Sequence, residues 1–288
     1  MKSKETFMWQ LISNIVMILF TMAALLPFIL LVIASFTDNQ YATVQGFGFF
    51  PKEWSLEAYK YIATSWQTIG RAYGMTILVT VLGTAVSLMV TSMFAYALAD
   101  KELPGGKILN FLCVFTMLFS GGIVSAYYCW NQVFHVRDTI LALILPGLLM
   151  SGFHVILVKN YFMFSIPESL KEAARIDGAG EIVIYTRIIL PLSRPILATI
   201  GMMTALAYWN DWTNGLYYLT LREGSKYYTI QLLLNQISEN INYLTKNAAQ
   251  LAGANAGMLP STTVRMAIAV VGNTAHYDCL SVFPKILC

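Results

Sequence analysis

From Trp9 to Ala34 the chain carries no ionisable side chain. That one feature limits the fold more than any other. About twenty apolar residues are enough for a helix to cross a bilayer. Lys2 and Lys4 precede the run, as basic residues precede a secretory leader. A leader, however, has a shorter apolar core and ends at a small-x-small cleavage site. The run is therefore expected to be a retained first membrane span.

Further apolar runs follow at about 72–98, 108–128, 139–158, 195–219 and 261–283. The expected fold is an all-α polytopic membrane protein. Composition agrees, with 57% hydrophobic and only 11% charged residues where soluble domains carry roughly 25% charge. A net charge of +3 is too small to argue for nucleic acid. Cys113, Cys129, Cys279 and Cys288 have neither metal-ligand nor disulfide-framework spacing, so no metal site and no catalytic site is expected. Gly105-Gly106-Lys107 lacks the rest of a phosphate-binding G-x-x-x-x-G-K-S/T loop. Any energy from ATP must then come from a partner.

Within the spans, the Thr, Ser and Gly residues of 72–98 favour close helix contacts in lipid. Gly121-Gly122 reads as a close-packing site, with a hinge as the alternative, and Pro146 is expected to kink the fourth span. Outside them, Ser55 is expected to cap a short helix, and the run from Asp100 to Lys107 is a turn.

Between the fourth and fifth spans lies a polar, helix-forming island at 159–194. Pro167 suits the start of a helix and Gly178 the left-handed position that ends one. A second short helix, Glu181 to Ile189, is expected to stop before Pro191. Two short helices joined by a glycine turn make a compact knob. Ala173 and Ala174 leave one face bare enough for another backbone to approach. Spacing alone also fits an amphipathic pair resting on lipid.

Charge gives the orientation. With the N-terminus in the cytoplasm, Lys2, Lys4, Lys101, Lys107, Lys159, Lys171, Arg175, Arg187 and Arg194 all fall on the inner side. The outer basic residues lie mostly in long loops, which count little in the positive-inside rule. The island is thus expected to face the cytoplasm.

E-A-A-x-x-x-G, followed after nine residues by I-x-L-P, resembles the signature loop of membrane subunits of binding-protein-dependent ATP-binding-cassette (ABC) importers. Glu172, Ala173, Ala174, Gly178, Ile188, Leu190 and Pro191 fall on that pattern, with Asp177 just before the glycine. The segment from Phe49 to Tyr59 is similar to one that sugar-importer permeases carry after their first span. Thr262 to Gly272 is similar to the start of the family's sixth span. The likeness is strongest to the second permease of oligosaccharide (maltose-type) systems.

The resemblance implies a six-span permease core in a bacterial plasma membrane, with a carbohydrate as cargo. It implies a second homologous permease, a cytoplasmic ATPase dimer docked on the knob, and an extracytoplasmic solute-binding protein meeting loop 220–260. ATP and magnesium would sit on the ATPases, with no cofactor in this chain. The family also favours W-N-D/E near the outer end of the fifth span, where Trp209, Asn210 and Asp211 stand. Polar groups at membrane depth usually face a cavity, which makes these three candidates for the substrate path. Anchoring in an interfacial tryptophan belt is the alternative.

A transporter driven by ion gradients is the competing class. It predicts inverted repeats with broken helices at the midplane; the two halves show no such match, and the knob is left without a role. An intramembrane enzyme needs paired catalytic groups at one depth, and none is found.

After Gly272 the resemblance stops. Asn273, His276 and Asp278 stand where apolar residues belong and would each be costly at mid-bilayer. A metal or proton site from His276, Asp278 and Cys279 is one reading. The preferred expectation is a sixth span truncated by a frameshift. Back-translation from Gly272 with one adenine deleted near the start reads GTLPIMIAYPFFQKYFV, a credible span ending.

Overall fold

The computed structural model describes residues 4–246 and 263–271. Among them every regular element is helical, and the only extended pairing is an isolated bridge between Thr37 and Trp54. The described residues divide into two units, 4–67 with 234–246 and 263–271, and 68–233. Residues 272–288, with His276, Asp278, Cys279 and the expected frameshift, lie outside the described residues, as does 247–260 of the outer loop.

In the first unit, α1 (Lys4–Ser35) is a 32-residue helix with Pro27 inside it. Met8–Ser35 is long and apolar enough to cross a membrane, and none of its most apolar window is buried within the chain. A helix apolar on all sides suits lipid or another subunit as its surroundings. At its end the Ser35 hydroxyl meets the Tyr59 hydroxyl at 2.8 Å, and Phe36 stacks on the Tyr59 ring. Asp38 caps α2 (Asn39–Gln45), accepting from the Gln40 and Tyr41 amides, and Gly46 ends it at a positive φ of 79°. The Ser55 hydroxyl accepts from the Glu57 amide at 3.2 Å, at the start of α3 (Glu57–Thr64). Residues 263–271 are helical with Val264, Ala267 and Ile268 buried, and Arg265 donates to the Ser238 hydroxyl at 2.8 Å.

The second unit is built around α4 (Trp66–Ala99), again long and apolar enough to cross a membrane. Its buried face is a row of small residues, Thr76, Thr80, Gly83, Ser87, Thr91 and Ala95, at helical spacing. Val81, Val86, Met89 and Met93 point the other way and are exposed. The small face permits close approach, most closely at Gly83, where an added Cβ would lie 2.6 Å from the Tyr208 ring.

Residues 108–128 are two helices. They are α5 (Gly106–Leu118) and α6 (Gly122–Tyr128), the second followed by a π-helical turn at Cys129–Val133. The glycine pair is the break itself. Gly122 has φ +78° and open space around its missing Cβ, while Gly121 faces only its own Ser125. Backbone conformation, rather than close packing, is what these glycines supply.

Residues 139–158 likewise do not form one kinked helix. Only α7 (Leu141–Ile144) is helical before Pro146, and α8 (Gly152–Phe164) begins after Gly147 turns at φ +72°. Irregular backbone at membrane depth survives where protein satisfies its polar groups. Here the Tyr208 hydroxyl donates to the Ile144 carbonyl and the Asn214 amide to the Pro146 carbonyl, both at 2.9 Å. The two donors belong to α12 (Arg194–Asn210) and α13 (Thr213–Tyr218). One apolar cluster surrounds this break, with Val79, Leu143, Tyr208 and Leu232 at its centre. A second gathers Ala95, Val155, Phe162, Ile184, Ile189 and Ile200 beneath the knob.

Candidate functional site: the helical knob at 167–194

The knob follows from its punctuation. Pro167, in extended backbone, caps α9 (Glu168–Ile176). The helix closes when the amides of Asp177, Gly178 and Ala179 turn back onto the carbonyls of Ala173, Arg175 and Ala174. Gly178 sits at φ +81° with nothing near its missing Cβ. The need there is for a left-handed residue and not for space. Gly180 is extended and leads into α10 (Glu181–Ile184), which continues through a π-helical turn, Tyr185–Ile189, into α11 (Leu190–Leu192). The helix therefore runs past Pro191 where the sequence suggested a stop. Proline clashes with the carbonyl four residues before it in an ordinary α-helix, and the widened turn ahead of Pro191 relieves that conflict. At Ser193, whose hydroxyl bonds the Ile189 carbonyl at 2.6 Å, the axis bends by 80° into α12.

The signature residues divide between two faces. Glu172, Ala173, Asp177, Gly178 and Pro191 are exposed, while Ala174, Ile188 and Leu190 are partly buried. Ala174 and Ile188 pack on the cluster whose floor is Ile184 and Ile189. The paired alanines thus do different jobs. Ala174 seats the helix, and Ala173 keeps the outer face low. Ile176, one turn after Ala173 on α9, is 86% exposed, and Ile182 on α10 is 80% exposed. Large apolar side chains exposed in this way fit an interaction surface.

A polar network, unforeseen from the sequence, ties the knob to the end of α4. Tyr96 donates from its hydroxyl to one Glu181 carboxylate oxygen at 2.6 Å, and Arg175 donates from Nε to the other at 2.8 Å. Arg175 also reaches Asp100 at 3.5 Å, and Lys101 pairs with Glu168 at 3.2 Å. One turn above Tyr96, the Ser92 hydroxyl meets the Tyr185 hydroxyl at 2.7 Å, and the Tyr96 ring lies against the rings of Tyr185 and Phe162. The hydrogen bonds from Arg175 and Tyr96 hold the Glu181 carboxyl below its ordinary range. The same Glu181 bond raises the Arg175 guanidinium. Burial lowers Lys171, whose ammonium lies 5.9 Å from the Tyr96 ring centre. Between α4 and α9 these groups line a cleft of about 330 Å³ in which cations and carboxylates alternate. No motif flags the network. The only sequence signals are Glu181 directly after a glycine and the charged turn at 100–102.

At the other end of α12, Trp209 is buried and Asn210 exposed, with the Asn210 amide donating to the Leu206 carbonyl at 2.9 Å. One oxygen of Asp211 accepts from the Thr213 and Asn214 amides, at 3.1 and 3.3 Å. That bond pattern starts α13, so the carboxylate has a local task of its own.

Comparison with known proteins shows the family. The family described as "Binding-protein-dependent transport system inner membrane component" matches residues 7–273. A polygalacturonan/rhamnogalacturonan transport system permease protein of Bacillus subtilis is 36% identical over 270 residues, 94% of this chain and 90% of that protein. Protein LplC of the same organism is 35% identical over 260 residues, 90% of this chain and 84% of its own length. Among solved structures, a chain of a bacterial ABC transporter involved in the import of the acidic polysaccharide alginate superposes with a TM-score of 0.79 at 28% identity, covering 99% of this chain and 98% of that one. The chain is therefore a member of the binding-protein-dependent transport system inner membrane component family, the membrane permeases of ABC importers.

Proposed function

We propose that this chain is one of two permease subunits of an ATP-driven carbohydrate importer and that the knob at 167–194 is the surface gripped by its ATPase. The observation that carries the reading is the knob's construction. Its inner face is locked into the apolar cluster, while Ala173, Ile176 and Ile182 stand outward. The largely unburied α1 suits lipid and a second permease. Delivery of cargo by an extracytoplasmic binding protein, and a cytoplasmic N-terminus, follow from the family and from the distribution of basic residues. Asn210, with Trp209 and Asp211 beside it, stays the candidate for touching cargo.

The names of two relatives point to acidic polysaccharides, polygalacturonan and alginate. Uronate oligomers are accordingly the first cargo class to assay. The test is co-purification from the native membrane. The wild-type chain should bring down an ABC ATPase, and Gly178→Pro or Glu172→Lys should lose it while the permease still inserts. Retention of the ATPase by both variants would refute the docking role.

A further inference from the structure

The knob is joined through the backbone to α8 on one side and α12 on the other, but α4 reaches it only through side chains. Four hydroxyl and carboxylate groups supply that link. Tyr96 and Ser92, one turn apart on α4, hydrogen-bond Glu181 and Tyr185, at the start and end of one helical turn of the knob. Glu181 is fixed a second time by Arg175 of α9. It is therefore the node where α4, α9 and α10 meet. The remaining ion pairs, Arg175 with Asp100 and Lys101 with Glu168, join side chains that are about half and two-thirds exposed and add little rigidity. Apolar packing beneath the knob resists separation but not sliding, because it is non-directional. Hydrogen bonds fix register, since they weaken steeply with misalignment. Along its buried face α4 carries mostly small residues, from Thr76 to Ala95, with the Tyr208 ring of α12 seated against the row at Gly83.

The geometry points to a strut: Tyr96 and Ser92 of α4, held to Glu181 and Tyr185 of the knob, transmit displacement of the knob to α4, and Glu181 is a positioning residue for transport rather than a docking residue. This rests on the permease reading above. It predicts that cutting the strut uncouples the motor from the membrane helices without stopping the motor. Two exposed side chains, Met93 on α4 and Met203 on α12, serve as spin-label sites once changed to cysteine in a chain whose native cysteines are replaced. The complete importer, in lipid nanodiscs, is then compared with and without ATP and vanadate.

In the unaltered strut, vanadate trapping should change the distance between the labels. With Tyr96→Phe and Ser92→Ala together, ATP hydrolysis should persist while the distance change shrinks at least about fivefold, a typical size for a lost coupling. Glu181→Ala should behave the same way, and Glu181→Gln, whose carbonyl oxygen can accept from Arg175 while its amide N–H donates to the Tyr96 hydroxyl oxygen, should retain most of the change. An undiminished distance change in the double variant overturns the strut. So does a proportional fall of hydrolysis and distance change, which would mean a docking or folding defect. Failure of the parent chain to assemble with an ATPase refutes the permease reading itself and is visible before any strut variant is made.

Discussion

Two glycines on the same helix separate packing from propensity. At Gly83 a methyl group would meet the Tyr208 ring at 2.6 Å, whereas at Gly74 it would meet nothing within 4 Å. Gly83→Ala should therefore cost about 1–3 kcal/mol through forced repacking. Gly74→Ala should be neutral or stabilise by up to about 1 kcal/mol through helix propensity. Thermal unfolding in detergent, followed by size-exclusion fluorescence, compares the two. Asp211 offers a second contrast. Asp211→Ala removes the acceptor that starts α13 and should cost about 1 kcal/mol, while Asp211→Asn keeps an oxygen and most of the stability. If Asp211→Asn abolishes uptake of a uronate oligomer yet leaves unfolding unchanged, the carboxylate has a role in the path beyond its cap.

Helix ends were the most legible elements, because Pro167, Gly178 and Ser55 carry their backbone preferences with them. The interruptions of the apolar runs were less so. Nothing in the hydropathy of 139–158 reveals that Tyr208 and Asn214, more than sixty residues later, are placed to satisfy carbonyls that a continuous helix would have used. The link of Tyr96, Arg175 and Glu181 was hidden for the same reason: it is tertiary, drawn from three elements. It should show in the pH response of the knob. The folded-state pKa of Glu181 is depressed below the ordinary value of 4.5. Its stabilising contribution is thus complete above that value and is lost as pH falls through the depressed one. Both partners are about half exposed, so solvent screening keeps the effect small. Hydrogen exchange over 168–184 should quicken as pH drops below the ordinary value of 4.5, after correction for intrinsic rates, and Glu181→Gln should flatten that dependence. An acid dependence unchanged in the variant would show that Glu181 is not its source.

Across the whole molecule, the family match ends at residue 273, one residue beyond the point where the sequence itself departs from the expected sixth span. Resequencing the gene tests the frameshift expectation, and a reading frame without an extra base would remove it. The central claim concerns the other end of the transport cycle, that the knob is a cytoplasmic handle for a separate motor. Cysteine placed at Ile182, 80% exposed within the chain, in a background lacking the native cysteines, reports on it directly. A membrane-impermeant maleimide should label Ile182→Cys in inside-out vesicles but not in intact cells, and the bound ATPase should protect it. Labelling from outside intact cells, or no protection by the ATPase, would contradict the account.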